Sequence, residues 1–225
     1  MAVTYNSLVA SIPKMLMAEN RSWGSELAEV IRRAEDRVLL NIQPDLLKVE
    51  LTGSLGTDDE WSRTIDVTEL DEEVGAEFKG WRSLYLSASG VRMILTPKAT
   101  DFCIALYPLD SVVRRPKHYA ERIASVFDLY PYPDQGYSWA GVANVKPLPL
   151  GAGRQTNLLT EKAPALIETA CFLEGALWMK DAQAAAIWQS AYEDLTGDKN
   201  ANIRRSRRDD TTRRDRETEN AGGAR

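Results

Sequence analysis

A single histidine, His118, and two cysteines, Cys103 and Cys171, are all the imidazole and thiol chemistry in the 225 residues. A zinc site draws several such ligands from close spacings, and that supply is missing here. Each cysteine lies within an apolar run, which reads as a buried reduced thiol and not as half of a disulfide. No stretch approaches the ~20 apolar residues that span a bilayer. The opening "MAVTYNSLVASIPKMLMAEN" lacks a basic leader followed by a long apolar stretch, so no signal peptide is expected. The expectation is a soluble protein of a reducing compartment, with no membrane partner.

Three stretches invite a chemical reading, and each has a plainer one. His118 sits in "RRPKHYAER" and reads as a structural or surface residue, since a lone histidine has no partner to make it a general base. "GAGR" at Gly151–Arg154 suggests a phosphate loop but carries the rest of neither nucleotide fingerprint, so it reads as a flexible connector. "DVTELDEEVGAE", Asp66–Glu77, is densely acidic without the ordered ligand spacing of a calcium loop. It reads as a solvated loop between strands, with contact to a basic neighbouring subunit as the alternative. No catalytic residue, metal site or cofactor emerges.

What the chain does have is 44% hydrophobic residues, enough for a core, and an uneven charge. From Ala201 onward eight arginines face five acids, a balance of +3 within a total of −5, so the first two hundred residues carry −8. Arg204, Arg205, Arg207, Arg208, Arg213, Arg214 and Arg216 crowd into a stretch with almost nothing apolar, which cannot build a core alone. The acidic body would repel phosphate, which weighs against a generic nucleic-acid binder.

The periodicity changes twice. "SWGSELAEVIRRAEDRVLLNI" places Leu27, Val30, Ile31, Ala34, Val38 and Ile42 on one helical face, with Ser22 as N-cap, Glu29–Arg33 paired on the wet face and Pro44 as the stop. Before it, Tyr5–Met17 predicts a shorter helix interrupted by Pro13. After Pro44 the period falls to 2: "LLKVELTG", "WSRTIDVTEL" and "WRSLYLSASGVRMIL" predict strands and hairpins. "TPKATDFCIALYP" predicts a brief helix with Thr96 as N-cap and Pro97 at its first position, and strands resume from His118 to about Val145. Leu166, Ala170, Leu173 and Leu177 then form one helical stripe. A break at Lys180–Asp181 leads to a second stripe of Ala184, Trp188, Ala191 and Leu195, ended by Gly197, as in an antiparallel helical hairpin.

"VFDLYPYPDQGYSW" packs five aromatics into fourteen residues. Base stacking would need flanking Lys or Arg, and Val126–Trp139 has none, so the aromatics are expected to pack a sheet around a turn at Pro131–Gly136.

"PKHYAERIASVFDLYPYPDQGYSW" resembles the segment of tailed-phage head-to-tail adaptor proteins in which a Pro-x-x-Tyr strand precedes a "YPxPDxxY" hairpin. The C-terminal helices resemble the same family through Thr156, Asn157, Leu158, Leu159, Ala163, Pro164, Lys180, Asp181, Trp188 and Tyr192. Ala34-Glu35-Asp36-Arg37 fits the family's opening helix, and the likeness spans roughly residues 5 to 196. The first strand pair, "GSLGTDDEWSRTIDV", fits only loosely, and the arginine tail matches no shared motif.

The resemblance implies an α+β fold, a helical bundle with an inserted β-rich subdomain, which the changes of period point to independently; the basic tail beyond it is expected to be disordered. The boundaries expected are 1–45 for the first helical part, 46–155 for the β-rich insertion, 156–200 for the helical hairpin and 201–225 for the tail. It implies a structural virion protein of the neck, assembled in the host cytoplasm, forming a ring of typically twelve copies. Such a ring joins the portal protein to a tail or nozzle protein and leaves a channel for the genome DNA. Arg204, Arg205, Arg207, Arg208, Arg213 and Arg214 are the candidate portal-binding residues. The alternative is a nucleic-acid-binding virion or assembly protein that uses the same arginines on phosphate.

Overall fold

The computed structural model of the chain describes residues 3–19, 22–42, 47–55, 62–68, 75–109 and 111–222, with side chains described as far as Asn202. The fold is mixed α+β, with six helices and eight strands among those residues. It divides into two compact units: Met1–Leu46 together with Pro149–Arg225, and Leu47–Leu148.

The first unit is helical. Its centre is α5 (Pro164–Trp178), which buries Leu166, Ile167, Ala170, Cys171, Phe172 and Leu173 among others. A helix apolar all round needs neighbours on every side, and it packs against α1 (Tyr5–Met15), α2 (Glu26–Asn41), α4 (Leu158–Lys162) and α6 (Ala182–Gly222). Pro164 opens α5 at a position whose missing N–H has no intrahelical role. On α2 the apolar stripe Leu27, Val30, Ile31, Ala34 and Val38 is buried. On its wet face Glu29 bridges Arg32 at 2.8 Å and Arg33 at 3.0 Å. The Arg32 hydrogen bond, with that of Arg33, holds the Glu29 carboxyl down at about 2.

One charged group lies deep in this unit. Glu35, 4% exposed, accepts from the Leu150 backbone N–H at 3.1 Å and from Asn157 Nδ2 at 2.7 Å. Asn157 in turn caps α4, its Oδ1 accepting from Leu159 and Thr160 N–H groups in a capping box with Thr160. Nearby, Arg37 pairs with Glu174 of α5, and the buried Tyr192 of α6 donates to the Arg37 carbonyl at 3.2 Å.

Several helix boundaries differ from the sequence reading. Ser22 is not the N-cap of α2. Trp23 is buried with its Nε1–H on the Ala18 carbonyl, and Gly24 turns the chain at φ +47°, so the helix begins at Glu26. It ends at Asn41, and Pro44, read as the stop, lies outside the described residues. Pro13 sits inside α1 without interrupting it, because in the last turn it forfeits a single hydrogen bond. Asp181 starts α6 as expected, its Oδ1 accepting from Gln183 and Ala184 N–H groups, and Lys180 at φ +59° makes the break.

Gly197 does not end α6. Lys199 and Asn200 still reach the Lys162 and Asn41 carbonyls, and the backbone stays helical to Gly222 through the stretch read as a tail. A glycine costs a helix only ~1 kcal/mol, and acids and bases recur four apart there, as at positions 209 and 213 or 210 and 214. The sequence of the same stretch carries no apolar stripe.

The second unit holds two four-stranded sheets. One runs β1 (Lys48–Ser54), β8 (Ser138–Pro147), β3 (Ala76–Ala88), β4 (Val91–Ile94), antiparallel throughout. The other runs β2 (Thr64–Asp66), β7 (Val126–Tyr130), β6 (His118–Ile123), β5 (Thr96–Pro97), with β5 parallel to β6. Ser89 and Gly90, both at positive φ, make the tight β3–β4 turn. The sheets meet through Phe78 and Trp81 of β3, Tyr119 and Phe127 of the second sheet, and Trp139, with ring centroids 5.2 to 6.0 Å apart. The aromatics of the Tyr- and Pro-rich block thus pack the sheets, as expected.

Two corrections belong here. β7 and β8, read as a hairpin, pair in different sheets, and the Pro131–Tyr137 connection crosses between them. Thr96 and Pro97 are not a helix cap but the edge strand β5, since the Thr96 N–H donates to the Lys117 carbonyl and the Lys98 N–H to the Tyr119 carbonyl. The helix that follows, α3, runs Thr100–Leu106 behind Ala99.

Gly141 lies under Trp81: a β-carbon there would sit 2.6 Å from the indole and 2.7 Å from the Ser83 carbonyl oxygen. Gly141→Val should therefore cost about 1–3 kcal/mol through overpacking against backbone that cannot yield. Glu35→Ala, which removes the acceptor of the Leu150 N–H and of the Asn157 amide, should cost about 2–4 kcal/mol. Urea unfolding midpoints check both, and wild-type midpoints would refute these packing roles.

Candidate interaction surfaces

The lone histidine is a packing residue. His118 lies between the Phe102 and Tyr107 rings, with centroids at 6.3 and 6.4 Å, and its Nδ1 is buried with no protein partner. Burial, reinforced by Lys98 and Lys117, holds its pKa below the usual 6.5, so it is neutral at pH 7. Both cysteines are free and buried. Burial pushes the Cys171 thiol far up, and Glu35, Glu168 and Glu174 push it further. Cys103 is raised by burial alone, against the pull of Lys98. A thiol held in its protonated form is a poor nucleophile.

Gly151–Arg154 is a tight reverse turn, with reciprocal backbone hydrogen bonds of 3.0 Å between Gly151 and Arg154. Of the acidic run, residues 69–74 lie outside the described residues. At its start Asp66 turns back on Thr68, accepting from its N–H at 2.9 Å and its hydroxyl at 2.6 Å. No cluster of His, Cys, Asp and Glu among the described residues could hold a metal. No helix among them is long and apolar enough to cross a membrane. The six candidate portal-binding arginines, Arg204, Arg205, Arg207, Arg208, Arg213 and Arg214, all fall on the α6 backbone, with their side chains outside the described set.

The second unit has an open cleft of about 740 Å³, lined by Glu77, Lys79, Gly80, Lys98 and Glu121 over an aromatic floor. Glu77 and Lys79 pair with each other at 2.5 Å. The lining holds neither a nucleophile beside a base nor a convergent set of like charges.

The feature that sequence reading passed over is α3. "TDFCIAL" runs five apolar residues together from Phe102 to Leu106, yet of its residues Cys103 alone is buried. Phe102, Ile104 and Leu106 are each about half exposed, and Leu109 and Val113 in the segment that follows are exposed at 62% and 48%. A run of apolar helical residues usually faces an interior, and large apolar side chains left exposed together along one short segment mark a candidate contact surface. Lys98, Arg114, Arg115 and Lys117 flank it, all exposed. The available signal was composition: a seven-residue helix with one acid and no other charge.

These surfaces suit assembly better than turnover. Residues 3–217 match the SU10 adaptor protein family, almost the whole chain. The chain belongs to that family. Its members are phage head-to-tail adaptors, which makes this an α+β structural protein of the virion. No curated protein matches the chain. The SU10 adaptor match spans both compact units and runs on into the arginine-rich part of α6. Two segments quoted separately for their resemblance to adaptors, around Glu35 and around Asn157, meet in one buried hydrogen bond of 2.7 Å.

If both thiols are interior packing groups of this adaptor, a thiol reagent at pH 8 should label neither in the native protein and two per chain after denaturation. Fast native labelling at either site would contradict that placement.

Proposed function

We propose that the chain is the ring subunit that joins portal to tail at one capsid vertex, with the genome passing through the ring. The observation that carries the reading is the family match over residues 3–217. Twelve copies, a tail or nozzle protein below, and assembly in the host cytoplasm before the virion neck is complete all belong to this reading. So does the division of labour in the chain: helical parts 1–45 and 156–200 as a bundle, 46–155 as a β-rich insertion, and the stretch from 201 as an arm.

The arm is the grip on the portal. Arg204, Arg205, Arg207, Arg208, Arg213 and Arg214 offer planar forks that pair bidentately with carboxylates, and a stretch without an apolar stripe is free to order on its partner. With no apolar stripe of its own to dock, the stretch settles only when the portal is present. Asp209, Asp210 and Asp215 between the arginines suit reciprocal pairing on a mixed surface more than a run of phosphates. Repetition around the ring turns weak contacts into firm attachment.

Full-length protein should co-sediment with the portal ring of its phage, and a version stopped after Asn200 should not. Equal binding by both would move the grip elsewhere on the chain. Failure of both, combined with a DNA mobility shift whose affinity falls steeply with salt, would replace the adaptor reading with a nucleic-acid-binding one.

A further inference from the structure

The α3 patch has a basic rim in an acidic protein. Between Lys98 and Lys117 four bases stand against two acids, while the rest of the first two hundred residues has sixteen bases and twenty-six acids. The apolar centre is Phe102, Ile104, Leu106, Leu109 and Val113. Its base is firm: the Phe102 ring packs edge-on to His118 at 6.3 Å, and Lys98 Nζ lies 5.3 Å above it. The Thr100 hydroxyl donates to the Glu121 carbonyl at 2.9 Å. The surface is thus built and held in place, with an apolar centre and a charged rim, the anatomy of a protein–protein contact.

Its charge disfavours its own image. Two such patches face to face would set one net positive segment against another, and like charges across an interface are costly. The complement is acidic with some exposed apolar surface, and the chain itself presents one. On the first part of α6, Ile187 is 61% exposed. Asp194 and Asp198, seven and eleven positions on, share its helical face and are exposed.

We propose that the α3 patch of one copy docks on the Ile187–Asp194–Asp198 face of α6 in the next copy. The contact is head-to-tail: each chain offers a basic apolar surface on its β-rich unit and an acidic one on its helical unit. A heterologous contact of this kind closes into a ring when its rotation divides a full turn. The inference rests on the ring reading above and assigns its subunit–subunit surface.

Sedimentation velocity on purified full-length protein tests it through charge reversal at exposed positions. Arg114→Glu with Arg115→Glu, and separately Asp194→Arg with Asp198→Arg, should each weaken self-association by at least about tenfold with unchanged far-UV dichroism. The variant carrying all four changes should recover association to near wild type. Full association in either pair, no recovery in the fourfold variant, or a wild type that stays monomeric at every concentration would overturn the contact. Portal co-sedimentation of the same proteins separates the two levels. A reversal that leaves assembly intact but abolishes portal binding sinks this contact and spares the adaptor reading. Assembly that responds as expected in a protein with no portal affinity does the opposite.

Discussion

The helical unit is organised around one buried carboxylate. Taking an ionised side chain out of water is costly unless hydrogen bonds replace its solvation, and Glu35 gets these from two places far apart in the sequence. The Leu150 N–H comes from the segment just beyond the β-rich unit, and the amide comes from Asn157, the cap of α4. Asn157 divides its functions, its oxygen holding the first turn of α4 and its nitrogen holding Glu35. Placing α2 therefore also places the return of the chain at Pro149 and the start of the run into α5. The Arg37–Glu174 pair and the Tyr192 hydroxyl fasten the same helix to α5 and α6 two residues later.

In the β-rich unit the organising constraint is steric. Trp81 and Trp139 rest on the two glycines, Gly141 and Gly53, where a β-carbon would collide with each indole at 2.6 and 2.5 Å. Glycine in a strand weakens it locally but lets a ring lie flat on the backbone. Phe78, Phe127 and Tyr119 then close the space between the sheets in edge-to-face contacts. Asp128, buried in β7, is satisfied by the Thr64 hydroxyl at 2.9 Å with Arg63 and Arg122 near 3.9 and 3.8 Å.

Elements with strong periodicity were legible. The α2 stripe, the alternation of β1, the Ser89–Gly90 turn and the helix pair broken at Lys180–Asp181 follow from spacing and turn chemistry. What misled was local chemistry with two uses. Thr-Pro suits both a helix start and an edge strand, and only the pairing of Thr96 with His118 across the sheet decides between them. Gly197 carries no stop signal when the helix after it keeps its propensity and Asn200 still has a carbonyl to reach. Aromatics flanking a Pro-rich turn suggest a hairpin, but strand pairing is a property of the sheet, and β7 and β8 found different neighbours. The role of α3 was the least legible, because an apolar helix reads as core until its exposure is seen. The arginines were visible from composition, while their partner was not.

The chemistry of the chain points outward. Its histidine and thiols are packing groups, its buried carboxylates are satisfied within each unit, and its distinctive surfaces are an apolar helix with a basic rim and an arginine-rich helical extension. A member of a head-to-tail adaptor family needs such surfaces more than a pocket. The central claim is a ring seated on a portal, and native mass spectrometry of the full-length chain with its phage's portal measures it directly. The account predicts one complex with as many copies of the chain as the portal has subunits. Free chain beside free portal at every mixing ratio would contradict it.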